Sequence, residues 1–275
     1  MNLRALITDA GQLGWGLVLH ARAAARLERL LGLWIFRVNV RSLANLPHDP
    51  LPRGVTVRLL NETQLIHHAR DPRYCLASRF IRRAMSRGDQ AYGAFEEGKL
   101  VGYTWRSAST APFFNGLWLK VPTPFIYAYK SYTLPSHRGR GMYGALTSFT
   151  DRQSRAIGHP MVLTLIDIAN IPSLRASAHV GSRKAGYAGY LKLFGTCFTF
   201  RTPAVRAMGV ELYAPAREVR STKGRSAGVT PDPVVASRQA LGIAAVLIER
   251  FSVHCRILAA SICVALRRHY SSVSP

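Results

Sequence analysis

Tyr132-Thr133-Leu134-Pro135-Ser136-His137-Arg138-Gly139-Arg140-Gly141-Met142-Tyr143-Gly144-Ala145-Leu146 is the most telling stretch of this chain. The run before it, Phe125 to Leu134, is rich in aromatic residues and reads as a strand. A turn with two glycines follows, then a helical pattern. Strand, glycine turn and helix in that order bring backbone N–H groups and a helix N-terminus to face an anion. Glycine lets a phosphate reach the main chain with no Cβ in the way. Arg138 and Arg140 add fixed positive charge that suits a pyrophosphate. The stretch is not a P-loop, because no Gly-Lys-Ser/Thr follows, and it lacks the full dinucleotide fingerprint. The plain alternative is a basic glycine turn on a solvated surface.

Working outward, Ala145, Leu146, Phe149, Ala156 and Ile157 trace one helical face. Met161 to Ile168 is a near-continuous apolar run, expected of a strand buried on both faces. Pro172 sits where another helix can start, with Ser173 in its first turn. Upstream, Val55 to Leu60 reads as a strand, and Asn61 with Gln64 has the spacing of a capping box. Gln90 to Phe95 and Leu100 to Ser107 form a hairpin around Glu96, Glu97 and Gly98. Strands and helices in mixed order give an α+β (mixed α/β) domain over residues 54–200.

The flanks read differently. Residues 1–53 hold an amphipathic helix with apolar Leu13, Leu17, Ala21, Ala24, Leu27, Leu31 and Trp34 opposite Arg22, Arg26 and Arg29. Pro47, Pro50, Pro52 and Gly54 then make a linker. Residues 201–275 hold a polar linker, Arg217 to Pro233, and a largely apolar helix over about 234–269 that needs burial against the domain, a partner or a membrane surface.

At 275 residues and +23 formal charge, the chain suits one domain with extensions and attracts polyanions. That charge is equally consistent with an arginine-rich solvated surface. Its four cysteines form no metal-ligand or disulfide pattern, so no metal is expected and a reducing, cytoplasmic setting is the default. No apolar run reaches the roughly 20 residues of a membrane span, and no signal peptide is evident.

The run Arg138-Gly139-Arg140-Gly141, after a strand and Pro135, resembles motif A of the GNAT superfamily of acyl-CoA N-acyltransferases. Downstream, a strand ending at Asp167, then Asn170-Ile171-Pro172-Ser173, then Lys184-Ala185-Gly186-Tyr187, resembles its motif B region, where a helix ends in a glycine–aromatic pair. The resemblance covers Val55 to about Phe200. It implies a mixed sheet that splays apart, with the pantetheine arm of coenzyme A in the splay. The pyrophosphate would rest on Arg138, Gly139, Arg140, Gly141, Met142, Tyr143 and Gly144, and the arm would run beside Tyr132, Thr133 and Leu134. Asn170 and Ser173 would stand near the arm. Tyr143 occupies the second small position of motif A.

The implied reaction is direct attack of a neutral amine on the thioester of acetyl-CoA, polarised by strand N–H groups. Asp167 is the acidic candidate for the base, beside its ordinary role as a turn cap, and Tyr129 is the strand candidate. Tyr127 and Tyr129 share a face, and Tyr132 lies on the other if the strand is regular. The family's proton donor stands four residues before the helix-ending glycine, a position taken here by Ser182. His137 and His179 are further neighbours of the turn and helix. Trp105, Phe113, Phe114, Trp118 and Phe125 offer either an acceptor pocket or core packing.

Two alternatives remain open. One is a long-chain N-acyltransferase fed by an acyl carrier protein or acyl-CoA, with peripheral membrane contact through the terminal helices. The other is a non-catalytic module that binds nucleic acid or lipid, although no nucleic-acid motif supports it. The acceptor amine and the oligomeric state are not legible.

Overall fold

The structure, a computed structural model, describes residues 32–44, 51–193 and 196–214. The expected amphipathic helix up to Leu31 lies outside the described residues, as do the linker 217–233 and the helix 234–269. Eleven strands and five helices are described: β1 (Leu33–Ser42), β2 (Val55–Leu60), α1 (Glu62–Ala69), α2 (Ser78–Ser86), β3 (Gln90–Glu96), β4 (Lys99–Ser107), β5 (Thr110–Pro112), β6 (Trp118–Lys120), β7 (Phe125–Thr133), α3 (Met142–Ala156), β8 (Met161–Asp167), α4 (Ile171–His179), β9 (Arg183–Leu193), β10 (Thr196–Arg201), α5 (Pro203–Ala207) and β11 (Glu211–Tyr213).

Local signals explain several boundaries. Asn61 accepts from the Gln64 N–H at 2.9 Å, and Gln64 Oε1 accepts from the Asn61 N–H at 3.0 Å, so the expected capping box starts α1. Glu97 and Gly98 both take positive φ, 50° and 75°, which is the two-residue hairpin geometry that matches strand twist.

The main sheet has eight strands in the order β10-β9-β1-β8-β7-β4-β3-β2. Its neighbours are antiparallel except β7 and β8. A small sheet, β11-β6-β5, stands apart from it. On one face, Leu65 of α1, Ile81 and Ala84 of α2 and Val205 of α5 pack with Tyr103, Trp105 and Leu163. On the other, Met142 and Leu146 of α3 pack with Tyr92, Ala94 and Val101, and α4 lies beside α3.

Two expectations need correction. Trp34, expected to close the N-terminal helix, lies in β1, and β1 sits in mid-sheet between β8 and β9. The run Leu33-Trp34-Ile35-Phe36-Arg37-Val38-Asn39-Val40 is aromatic and β-branched, the composition of a strand. Its partners lie more than a hundred residues away, at 161–167 and 183–191. At the other end, β10, α5 and β11 pack into the same body: Val205, Val210 and Leu212 are core residues. The packed unit therefore extends beyond residues 54–200 on both sides.

The second correction concerns Gly186. Helix α4 ends at His179, and Gly181 (φ +80°) follows. Gly186 lies inside β9, where an added Cβ would run into the hydroxyl of Thr202 and the methyl of Val205. It is a packing glycine rather than the glycine that stops a helix.

Candidate functional site

Strands β7 and β8 pair only at Phe125–Met161, Ile126–Val162 and Tyr127–Leu163. Beyond these pairs both strands continue, to Thr133 and Asp167, without pairing to each other. The inner edges of Ala128–Thr133 and Thr164–Asp167 therefore face a gap, and backbone groups there are available to a ligand. A cleft of about 980 Å³ occupies the gap, walled also by His137–Gly139, Gly141–Gly144 and one side of α4.

A bulge opens the strand. Tyr103 pairs with Tyr132 and Trp105 with Tyr129, so β7 carries an extra residue there, and Lys130 takes the left-handed conformation (φ 47°). A bulge bends its strand and increases the local twist, which here directs β7 away from β8. It also shifts side-chain parity. Tyr132 stacks on Tyr103, with centroids 5.7 Å apart, and Tyr129 leans on Trp105 at 6.2 Å. Since Tyr103 and Trp105 share a face of β4, Tyr132 and Tyr129 share one too. The alternation expected of a regular strand does not hold here.

At the mouth, Gly139 and Gly141 both take φ +76°, and a Cβ on either would project into open space. That backbone is costly for any other residue. Gly141 caps α3 without a side chain, so the first N–H groups of the helix, at Met142, Tyr143 and Gly144, lack intrahelical partners. Tyr143 lines the same mouth, as does exposed Arg138, whose guanidinium lies 5.9 Å from the Tyr132 ring centre. Arg140 turns elsewhere. It pairs with Glu96 at 2.5 and 3.2 Å, and His137 Nε2 lies 3.0 Å from the same carboxylate. Arg140 first, and His137 with it, hold Glu96 below the usual carboxylate range. This cluster pins the turn to the β3–β4 hairpin. Leu134, the other expected contact that does not line the cleft, uses its N–H to bond Val101 O at 2.9 Å.

On the facing wall, Asp167 and Asn170 do two jobs. Asp167 Oδ1 accepts from the Ala169 N–H at 2.7 Å, and Asn170 Oδ1 accepts from the Ser173 N–H at 3.2 Å. Both therefore shape the start of α4 while lining the cleft, together with Ser173 and His179. Burial raises the Asp167 pKa, partly offset by its bond to Ala169.

The remaining expected proton carriers are committed elsewhere. Tyr129 is among the residues lining the cleft, but its hydroxyl donates to buried Asp89 at 2.6 Å. Burial first, then that bond, pushes its pKa up. Ser182 is 8 % exposed and does not line the cleft; its Oγ accepts from Arg41 at 2.8 Å. Four residues before Gly181, the glycine that follows α4, stands Ser177. Ser177 is buried, and its hydroxyl has no partner among the described residues. Trp105, Phe113, Phe114, Trp118 and Phe125 do not line the cleft: Trp105 and Phe125 are core, and Phe113 and Phe114 pack on Phe36.

Among the lining residues that the sequence did not single out are Lys130, Thr164 and Arg175. Thr164 is the one with a visible signal, a lone hydroxyl in the apolar run Met161–Leu165. It is 8 % exposed, opposes Asn39 of β1, and its Oγ1 has no partner among the described residues. Among the described residues no group of three His, Cys, Asp or Glu could hold a metal, and no helix is long and apolar enough to cross a membrane.

No family model matches the chain, and no curated protein matches it. Solved structures do. A Drosophila protein aligns at 17% identity and TM-score 0.45, covering 67% of this chain and 59% of that one. A GCN5-related N-acetyltransferase from Kribbella flavida aligns at 14% identity and TM-score 0.43, covering 57% of each chain. Another from Sphaerobacter thermophilus aligns at 16% identity and TM-score 0.43, covering 60% of this chain and 54% of that one. The chain thus spans a little over half the length of these three structures.

Proposed function

We propose that the chain is an acyl-CoA-dependent N-acyltransferase, with acetyl-CoA the donor and an amine the acceptor. One observation carries this reading: the strand splay and the uncapped N-terminus of α3 open into the same cleft.

The residues present fit the donor. Gly139, Gly141 and the free N–H groups of Met142, Tyr143 and Gly144 suit a pyrophosphate, and Arg138 supplies a cation beside them. The unpaired edges of β7 and β8 suit the two amides of a pantetheine arm, which can bond there as an added strand would. Thr164 Oγ1 offers a further buried hydrogen-bonding group.

When bound, the donor supplies an activated thioester. The amine nitrogen forms a bond to the acyl carbon, the carbon–sulfur bond breaks with its electron pair leaving on the coenzyme A sulfur as a thiolate, and the amine's proton passes to a base. Asp167 is the carboxylate placed for that role, and a raised pKa improves it as a proton acceptor. Unpaired N–H groups on the inner edge of β7 polarise the carbonyl. The hydroxyls of Tyr129 and Ser182 are engaged elsewhere, so neither carries a proton in this reading.

Isothermal titration with acetyl-CoA tests the reading. Micromolar binding that weakens about tenfold in Arg138→Ala is expected. Absence of binding by the wild-type protein would overturn it.

A further inference from the structure

Charge along the cleft is strongly one-sided. Lys130, Arg138 and Arg175 line it with His137 and His179, against the single carboxylate of Asp167. Arg138 belongs with the anion-binding turn. Lys130 does not: it sits on the opposite side of the sheet, with its ammonium 4.9 Å from the centre of the Phe80 ring of α2. Phe80 in turn packs against Trp105 and Tyr129, which face α2 rather than α3. The left-handed backbone at the bulge directs this side chain to that rim. Among the described residues no carboxylate pairs with Lys130. Burial lowers its pKa, although the residue as a whole is exposed.

Helix α2 adds no negative charge. It carries exposed Arg79, Arg82 and Arg83 and no acidic residue. Nearby carboxylates are already engaged, Asp71 by Arg73, Asp89 by Arg87 and Glu62 by Arg82. If the donor enters past α3, the acceptor has the α2 rim left to it. A polycationic amine would meet like charge there, whereas an amine that also bears an anion would meet the opposite charge of Lys130.

We propose that the acceptor is an amine carrying a carboxylate, of amino-acid type, and that Lys130 is the residue that selects it. The proposal rests on the acyltransferase reading above. Asp167 then takes the ammonium proton while Lys130 holds the carboxylate, so the two charges of the acceptor meet two opposite charges of the cleft.

The test is a competition between matched pairs at saturating acetyl-CoA. Aromatic and aliphatic amino acids are assayed beside their decarboxylated amines, with spermidine as the polycation. The acids should exceed their amines in kcat/KM by at least about tenfold, and spermidine should be poorest. In Lys130→Met the acid-to-amine ratio should fall by about tenfold or more, and Lys130→Arg should retain most of it. In Lys130→Glu the ratio should invert. Circular dichroism reports whether each variant folds, and the wild-type ratio stands independently of the variants. Equal rates within pairs, no transfer to any acid, or a preference for spermidine would overturn the assignment. Calorimetric binding of acetyl-CoA to the wild-type protein separates that failure from failure of the acyltransferase reading itself.

Discussion

Arg41 and Asp151 are 110 residues apart in the chain, yet Arg41 Nη2 lies 2.6 Å and Nε 2.8 Å from the same oxygen, Oδ2, of Asp151. The other oxygen takes Arg106 Nη2 at 3.3 Å. All three side chains are almost completely buried, and Arg106 also reaches the Thr150 hydroxyl at 2.5 Å. One carboxylate on α3 thus ties together β1 and β4, which lie on opposite sides of the β7–β8 pair. The helix that follows the Gly139/Gly141 turn is fixed to the sheet through this junction.

Removing that carboxylate should be severe. Two buried guanidiniums would lose their counter-charge, and breaking a buried pair from one side costs about 3–5 kcal/mol. Asp151→Asn is therefore expected to lower unfolding free energy by that order in urea titration. A loss below 1 kcal/mol would mean that water or neighbouring groups already neutralise the arginines.

Arg138 and Arg140, two residues apart, should behave differently. Arg138 lines the cleft whereas Arg140 is held by Glu96. Acetyl-CoA affinity should fall about tenfold in Arg138→Ala and by no more than about threefold in Arg140→Ala. Gly141→Ala adds a Cβ at φ +76°, so it should cost about 1–2 kcal/mol of stability and weaken binding as well. Calorimetry with acetyl-CoA and thermal melts would check all three.

With Asp167 as the proposed base, activity is expected to depend on pH. Asp167 works as a base when ionised, so kcat/KM should rise with pH through a value above the ordinary aspartate range. Asp167→Asn should remove that limb and lower kcat by about a hundredfold. The stability effect has the opposite sense. A carboxyl whose folded pKa is raised holds its proton better in the native state. Its contribution is full below the unfolded pKa and is lost as pH rises through the folded one. At pH 7 Asp167→Asn should be at least as stable as wild type, because asparagine keeps the oxygen that accepts from Ala169.

Tyr129 separates support from chemistry. Its hydroxyl donates to the Asp89 carboxylate, which also pairs with Arg87 at 2.6 Å. Tyr129→Phe should cost about 1.5–3 kcal/mol, the worth of a hydrogen bond to a charged group. Its kcat should stay within about threefold, since loss of a proton carrier removes about a hundredfold or more. A hundredfold fall in kcat with unchanged stability would return Tyr129 to the reaction.

Features set by neighbours in the chain were legible. The Asn61–Gln64 cap, the Glu97-Gly98 turn, the strand Phe125–Thr133 and the Gly139/Gly141 turn all depend on local backbone preference, and each stands where the residues place it. The order of strand, turn and helix around Arg138 was therefore readable without the fold. The helical face from Ala145 to Ile157 was readable only in part. Ala156 and Ile157 are exposed, while Thr147, Thr150, Asp151 and Ser154 are buried. A polar residue buried against a distant arginine leaves no apolar periodicity to find.

What the sequence determined by itself is thus strands β2, β3, β4, β7 and β8, the start of α1 and the glycine turn before α3, because those follow from φ preferences, caps and side-chain period over a few residues. The tertiary structure alone decided three things. It placed β1 beside β8 and β9, it assigned Gly186 to packing against Thr202, and it brought Lys130 to the rim of the cleft. Each rests on contact between segments distant in sequence: β1 needs partners over a hundred residues on, and the bulge at Lys130 shows only in register against β4. Such contacts are selected by burial and hydrogen-bond satisfaction across the whole molecule, and no local preference encodes them.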